Sequence, residues 1–145
     1  MIIQKGLSNV VWKGRFEIVS EHPYVIRDGA HNVDAALRLK EQLIKHFTNQ
    51  RIIYIIGVLG DKEHGKMLEA LAPLAKKAYV ITVPDNKRAL PAERLAEEVR
   101  EYIEDVIIAD SPEQALLYAR EEAADEDVIV AFGSLYYIGR ITGNE

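Results

Sequence analysis

Arg51-Ile52-Ile53-Tyr54-Ile55-Ile56 is a run in which five apolar or aromatic residues follow a single arginine. A strand with one face in water alternates apolar and polar residues. A continuous run needs cover on both faces, which is the situation of a strand inside a parallel sheet. Four further runs share this character: Tyr24-Val25-Ile26-Arg27, Ala78-Tyr79-Val80-Ile81-Thr82, Val106-Ile107-Ile108 and Val128-Ile129-Val130-Ala131-Phe132. Helical patterns separate them. From Asn32 to Phe47 the residues Ala36, Leu39, Leu43 and Phe47 form one stripe, with Asn32 placed to cap it. Met67 to Ala75 carries Leu68, Leu71, Ala72 and Ala75, and Pro73 is expected to kink or end that helix. Pro91 stands where a helix begins, with Leu95, Val99 and Tyr102 expected on its inner face. Ser111-Pro112-Glu113-Gln114 is a cap, a first-turn proline and two helix formers ahead of Ala115, Leu116 and Ala119.

Strand and helix alternating in this way predict right-handed βαβ crossovers and an α/β fold, a Rossmann-like three-layer sandwich. Phe16-Glu17-Ile18-Val19, joined to the next strand through Ser20 to Pro23, reads as an antiparallel hairpin at the N-terminal edge of a mostly parallel sheet. The 145 residues suit a single domain over 1–145. Hydrophobic residues at 48% and charged residues at 28% are the balance of a globular protein with its own core. The absence of cysteine excludes disulfides, a thiolate zinc site and a cysteine nucleophile. A net charge of −5, with both signs mixed along the chain, gives no basic footprint for nucleic acid. No apolar run approaches the roughly 20 residues that span a bilayer, and no signal-peptide pattern is present. The expected setting is cytoplasmic, with neither a nucleic-acid nor a membrane partner.

In open α/β sheets, ligands gather beyond the C-terminal ends of the strands. That rule singles out residues 28–32, 57–66, 83–88 and 133–136. Asp28-Gly29-Ala30-His31-Asn32 places a carboxylate, an imidazole and an amide at a helix start, where free N–H groups favour anions. Asp28 can accept from ribose hydroxyls, and His31 can donate to an anion or orient a carboxylate. The same residues also read as a turn, a cap and an exposed loop histidine. In Trp12-Lys13-Gly14-Arg15-Phe16-Glu17, Arg15 can fork onto phosphate or simply pair with Glu17 or Glu21. In Phe132-Gly133-Ser134-Leu135-Tyr136, Gly133 permits close backbone approach and Ser134 offers a hydroxyl to a carboxylate. Its plainer reading is a helix cap, with Leu135 and Tyr136 in the core. Gly60-Asp61-Lys62-Glu63-His64-Gly65-Lys66 fits seven positions of the P-loop pattern, but Met67 replaces the hydroxyl residue that would meet Mg²⁺. Asp61 and Glu63 would also put negative charge into a phosphate cradle, so this stretch is read as a strand-to-helix loop whose charged residues face a ligand or a neighbouring domain. His22, His46 and His64 show no metal-ligand spacing.

Taken in order, Trp12-x-Gly14-Arg15-Phe16-Glu17, Asp28-Gly29-Ala30-His31-Asn32, Gly57-Val58-Leu59-x-Asp61-Lys62 and Phe132-Gly133-Ser134-Leu135-Tyr136 resemble the folylpolyglutamate synthase/dihydrofolate synthase family of the Mur ligase superfamily. The resemblance runs from about Gly6 to Arg140, and Gly29 with the Gly-Ser-Leu-Tyr segment favours the folate branch over the peptidoglycan branch. Lys13 and Val33 stand where that family commonly has proline, and Gly60 where it often has another small or polar residue; none of these is a proposed contact. The resemblance implies the C-terminal domain of an ATP-dependent, ADP-forming ligase that joins glutamate to folate or pteroate through an acyl phosphate. Its partner would be an N-terminal ATPase domain carrying the P-loop and the Mg²⁺ ligands, both missing here, so the chain alone is expected to be inactive. By the same resemblance Asp28 contacts the ribose of ATP and Arg15 its phosphates. His31 and Ser134 lie near the glutamate or the reacting phosphate, and Lys62 and Asp85-Asn86-Lys87-Arg88 add charge to the crevice. Two other readings use the same residues: a stand-alone nucleotide- or amino-acid-binding module, and a domain of a Mur-type peptidoglycan ligase.

Overall fold

The computed structural model describes residues 14–60 and 63–143. Trp12 and Lys13 of the first motif, and Asp61 and Lys62 of the third, lie outside the described residues. Six strands, β1 (Glu17–Ser20), β2 (Tyr24–Arg27), β3 (Ile52–Ile56), β4 (Lys77–Val80), β5 (Asp105–Ile108) and β6 (Val128–Phe132), form one sheet in the order β1-β2-β6-β3-β4-β5. Only the β1–β2 pair is antiparallel; β2–β6, β6–β3, β3–β4 and β4–β5 are parallel. This is the expected sandwich with its antiparallel edge hairpin.

Helices α1 (Val33–His46), α2 (His64–Leu71) and α3 (Ala92–Val99) cover one face of the sheet. Helix α4 (Pro112–Glu122) and the single turn α5 (Leu135–Ile138) cover the other. Alternation within β3 shows why its sequence is apolar throughout. Tyr54 and Ile56 pack beneath the three-helix layer, while Ile53 and Ile55 pack under α4, and all four are fully buried. Buried phenols are satisfied inside the core: Tyr54 donates to the carbonyl of Leu71 at 2.6 Å, and the Tyr137 hydroxyl lies 2.5 Å from Phe132 O and 3.0 Å from Ile55 O. Tyr137 thereby ties the ends of β3 and β6 together.

Local signals placed most boundaries. Asn32 caps α1 by accepting from Ala35 N at 2.9 Å, and Ser111 caps α4 by accepting from Gln114 N at 3.0 Å. Helix α2 begins earlier than its apolar stripe, at His64, and ends at Leu71, where Pro73 sits in a 3₁₀ turn over Ala72–Leu74. Tyr102 is corrected. Helix α3 stops at Val99, the following turn carries Tyr102 outward, and Ile103 takes the buried place instead. Leu135 and Tyr136 are corrected too: they are exposed, and Tyr137 and Ile138 supply the buried side of α5.

Candidate functional site at the C-terminal strand ends

The register brings Arg27 opposite Ala131, and Ile56 opposite both Phe132 and Val80, so the strand ends reach one rim together. Asp28 continues β2 by donating its N–H to Ala131 O at 2.9 Å. Its carboxylate turns inward and accepts Phe16 N–H at 2.9 Å and Ala30 N–H at 2.8 Å. Those bonds hold Phe16 in the left-handed region, φ 45°, while its ring is buried in the core. Gly14, at φ 80°, accepts Gly29 N–H at 2.5 Å. The Gly14-Arg15-Phe16 turn is thus fixed against the Asp28 turn, and Arg15 projects from it into solvent. Burial pushes the Asp28 carboxyl above its ordinary pKa; the two N–H bonds and the nearby Arg15 and Arg38 guanidinium groups pull the other way and offset only part of that rise.

His31 is exposed, yet its ring is anchored: Nδ1 lies 2.9 Å from the carbonyl of Gly29. A carbonyl only accepts, so Nδ1 carries the proton and Nε2 of the neutral ring keeps a lone pair. On the far side, Ala30 O accepts Gly133 N–H at 2.9 Å. Gly133 has φ 117°, and an added Cβ would overlap the carbonyl of Gly57, so only glycine lets the β3 and β6 ends meet. Ser134 is buried and its Oγ accepts Tyr136 N–H at 3.1 Å. Its capping role is real, but the helix it caps is a single turn, which weakens the expected anion preference of a helix end.

Two clefts open on this rim. One, of about 290 Å³, is lined by Arg15, Asp28, His31, Asn32 and Arg38. The other, of about 340 Å³, is lined by His31, His64, Met67, Ser134 and Tyr136 among others. His31 and Leu135 line both. The structure therefore brings Arg15, Asp28 and His31 together in one cleft, with Ser134 across the shared wall. Arg15 makes no ion pair with Glu17, which instead accepts from Arg27 Nε at 2.9 Å.

Two lining residues were missed in the sequence. Arg38 lies six residues beyond the Asn32 cap, on the helix face that also carries Ala35 into the cleft. His64 falls in the 57–66 segment and the P-loop-like stretch, where it has no role of its own; its Nε2 lies 3.0 Å from Glu98 Oε1, and it lines the second cleft. Lys87 and Arg88 line neither cleft. Their turn is fixed to the loop after β3 through Gly60 N–H to Arg88 O at 2.7 Å and a Leu59–Ala89 bridge. Glu63 accepts Val33 N–H at 3.0 Å. The P-loop-like stretch therefore directs Gly60 N–H and the Glu63 carboxylate to neighbouring backbone. Among the described residues no group of three or more His, Asp or Glu could hold a metal ion, and no helix is long and apolar enough to cross a membrane.

The sequence profile of the Mur ligase glutamate ligase domain matches residues 14–135, which includes Arg15, Asp28, His31, Arg38, His64 and Ser134. This chain belongs to that family. A dihydrofolate synthase/folylpolyglutamate synthase of Bacillus subtilis is 30% identical over 139 residues, covering 96% of this chain and 32% of the relative. E. coli FolC in complex with DHPP and ADP superposes with a TM-score of 0.83 at 32% identity, over 94% of this chain and 32% of that one. A bifunctional folylpolyglutamate synthase/dihydrofolate synthase with Mn, AMPPNP and L-glutamate bound gives 0.79 at 27% identity, over 96% and 33%. The chain thus spans about a third of the length of these Mur ligase relatives.

Proposed function

We propose that this Mur ligase domain is the C-terminal part of an ATP-dependent ligase that adds glutamate to folate or pteroate, closing over ATP and the incoming glutamate. The observation that carries the reading is the adjacency of the two clefts across His31 and Leu135. A cationic cleft with a buried carboxylate suits the ribose and phosphates of a nucleotide. A neighbouring cleft with a serine and imidazoles suits an amino acid that must reach the activated carboxyl. ADP, AMPPNP, Mn and L-glutamate in the structural neighbours support the same pairing.

In this reading the γ-phosphoryl group of ATP passes to a substrate carboxylate, giving an acyl phosphate and ADP. The amine of glutamate then attacks the acyl carbon, an amide forms, and phosphate leaves. Arg15 meets phosphate oxygens as charge spreads over them, and Asp28 contacts the ribose while fixing the Arg15 turn. His31 and Ser134 stand at the passage between nucleotide and amino acid, where the Nε2 lone pair of His31 can accept from the entering amine. As the family resemblance implies, the ligands of the divalent cation and the P-loop belong to an N-terminal ATPase domain of the same enzyme. Closure of that domain onto this rim would shield the acyl phosphate from water.

The direct test is Arg15→Ala in the complete ligase. Turnover should fall by about 100-fold or more, as for loss of a charge-stabilising donor, with folate affinity changed far less. Near wild-type turnover would remove Arg15 from the phosphate site.

A further inference from the structure

The cleft around Asp28 holds two arginines, and only Arg15 belongs to the motifs that point to a nucleotide. Arg38 is on helix α1, three residues beyond Ala35, which is itself three beyond the Asn32 cap, so the three follow one another around the helix start and line the same cleft. Its guanidinium is near enough to Asp28 to favour the ionised carboxylate, as Arg15 is. Asp34 lies four residues before it, the spacing of a helical ion pair. Among the described residues, however, Arg38 makes no ion pair within 4 Å and no side-chain hydrogen bond. An arginine that leaves an adjacent carboxylate unpaired and lines a concave site has its five donors available for an anionic ligand.

We propose that Arg38 is a second nucleotide-binding arginine, contacting the phosphate next to the ribose and setting affinity for ATP rather than the rate of phosphoryl transfer. The inference rests on the ligase reading above. Position supplies the division of labour. Arg15 follows Gly14, which is packed against Leu135, the residue shared by both clefts. Arg38 lines only the Asp28 cleft and stands about 9 Å along the α1 axis from the cap beside His31, at 1.5 Å per residue. In the proposed pose it meets the phosphate on the ribose side, away from the amino-acid cleft and the reacting γ-phosphate. A contact there is made equally in ground and transition states, so its loss raises KM and leaves kcat alone.

The experiment uses the complete ligase with Arg38→Ala and Arg38→Lys. The alanine variant should raise KM for ATP about tenfold, the scale of one charge-assisted hydrogen bond, with kcat within about twofold and KM for glutamate unchanged. Lysine should recover part of the loss, since it keeps the charge without the planar fork. Competition by AMP and ADP should weaken in Arg38→Ala to a similar degree, while competition by adenosine stays the same. An unchanged KM for ATP, or a lowered kcat with KM unchanged, overturns the proposal. So does equal weakening of adenosine, which would move the contact off the phosphate. A wild-type enzyme that forms no ADP with folate and glutamate defeats the ligase reading first, and this inference with it.

Discussion

Asp28 shows how one buried carboxylate can organise a site. Its two oxygens accept the N–H groups of Phe16 and Ala30, so the loop bearing Arg15 and the turn bearing His31 are both built on it. Asp28→Asn keeps the volume but sets an NH₂ against one of those donors, and should destabilise the domain by about 1–3 kcal/mol in urea titrations. The pH dependence has a definite sign. Because the folded-state pKa is raised, the folded chain holds the proton more tightly than the unfolded one. Stability therefore falls as pH rises from the ordinary aspartate value of about 3.9 through the raised one. The variant does not titrate there, so the gap between wild type and Asp28→Asn should narrow with rising pH. A gap that widens instead would mean the hydrogen bonds outweigh burial. Gly29 is constrained by a different neighbour. A Cβ at this position would overlap the Leu135 side chain and approach Gly14 O to 3.3 Å. Gly29→Ala should cost about 1–3 kcal/mol through overpacking. Leu135 is exposed, so Leu135→Ala should cost little and restore most of the loss in the double variant. Strict additivity of the two changes would show that Leu135 is not the obstacle.

The strand beginnings, remote from the site, are joined by charge. Arg51 ahead of β3 donates to Asp127 ahead of β6 at 3.0 Å and pairs with Glu122 at the end of α4 at 3.3 Å. Lys77 of β4 reaches the same glutamate at 2.7 Å, with the Tyr79 hydroxyl beside it. Asp127 also accepts Ala124 N–H at 2.8 Å and is buried, so Asp127→Ala strands that N–H and leaves Arg51 with Glu122 as its one remaining carboxylate partner among the described residues. A loss of about 1–3 kcal/mol should follow, with ATP affinity in the complete ligase unaffected. Burial alone would raise the Glu122 pKa, but hydrogen bonds from Lys77 and Tyr79 and the Lys77 and Arg51 charges bring it below the ordinary value. Its contribution is therefore present above the unfolded glutamate pKa and lost as pH falls through the folded one, opposite to Asp28. Elements of this kind differ in how far a sequence reveals them. The Asn32 and Ser111 caps were legible because each cap is completed within three residues. Tyr102 was not, since a helical pattern says nothing of where the helix stops. The neighbours of β6 were not legible either, because pairing β6 between β2 and β3 joins segments distant in the chain. The proposed site residues divide the same way. Arg15, Asp28, His31 and Ser134 sit in motifs at strand ends, whereas Arg38 occupies the second turn of a helix and is marked only by the cleft it lines.

Among the described residues one rim carries two clefts, and in the proposed ligase its place in the catalytic cycle would follow from what that rim contains. Phosphoryl transfer needs cationic groups around the reacting phosphate and exclusion of water from the acyl phosphate. On this surface the donors come from a single side, Arg15 and Arg38 both lie exposed, and the chain spans about a third of the ligases it resembles. Leu135 and Tyr136 at the same rim are apolar yet 56% and 67% exposed, and in the proposed ligase they are where the closing domain would meet this one. The isolated chain given ATP, folate, glutamate and Mg²⁺ should accordingly release no ADP above the no-protein rate in a coupled spectrophotometric assay. In the complete ligase, Lys66→Ala should leave turnover near wild type, because Gly60 and Glu63 of the P-loop-like stretch are already bonded to Arg88 and Val33. Robust ADP release by the chain alone would mean that this rim is a complete active site. Sensitivity of that release to Lys66→Ala would then locate its phosphate cradle in the loop after β3 rather than in the cleft around Asp28.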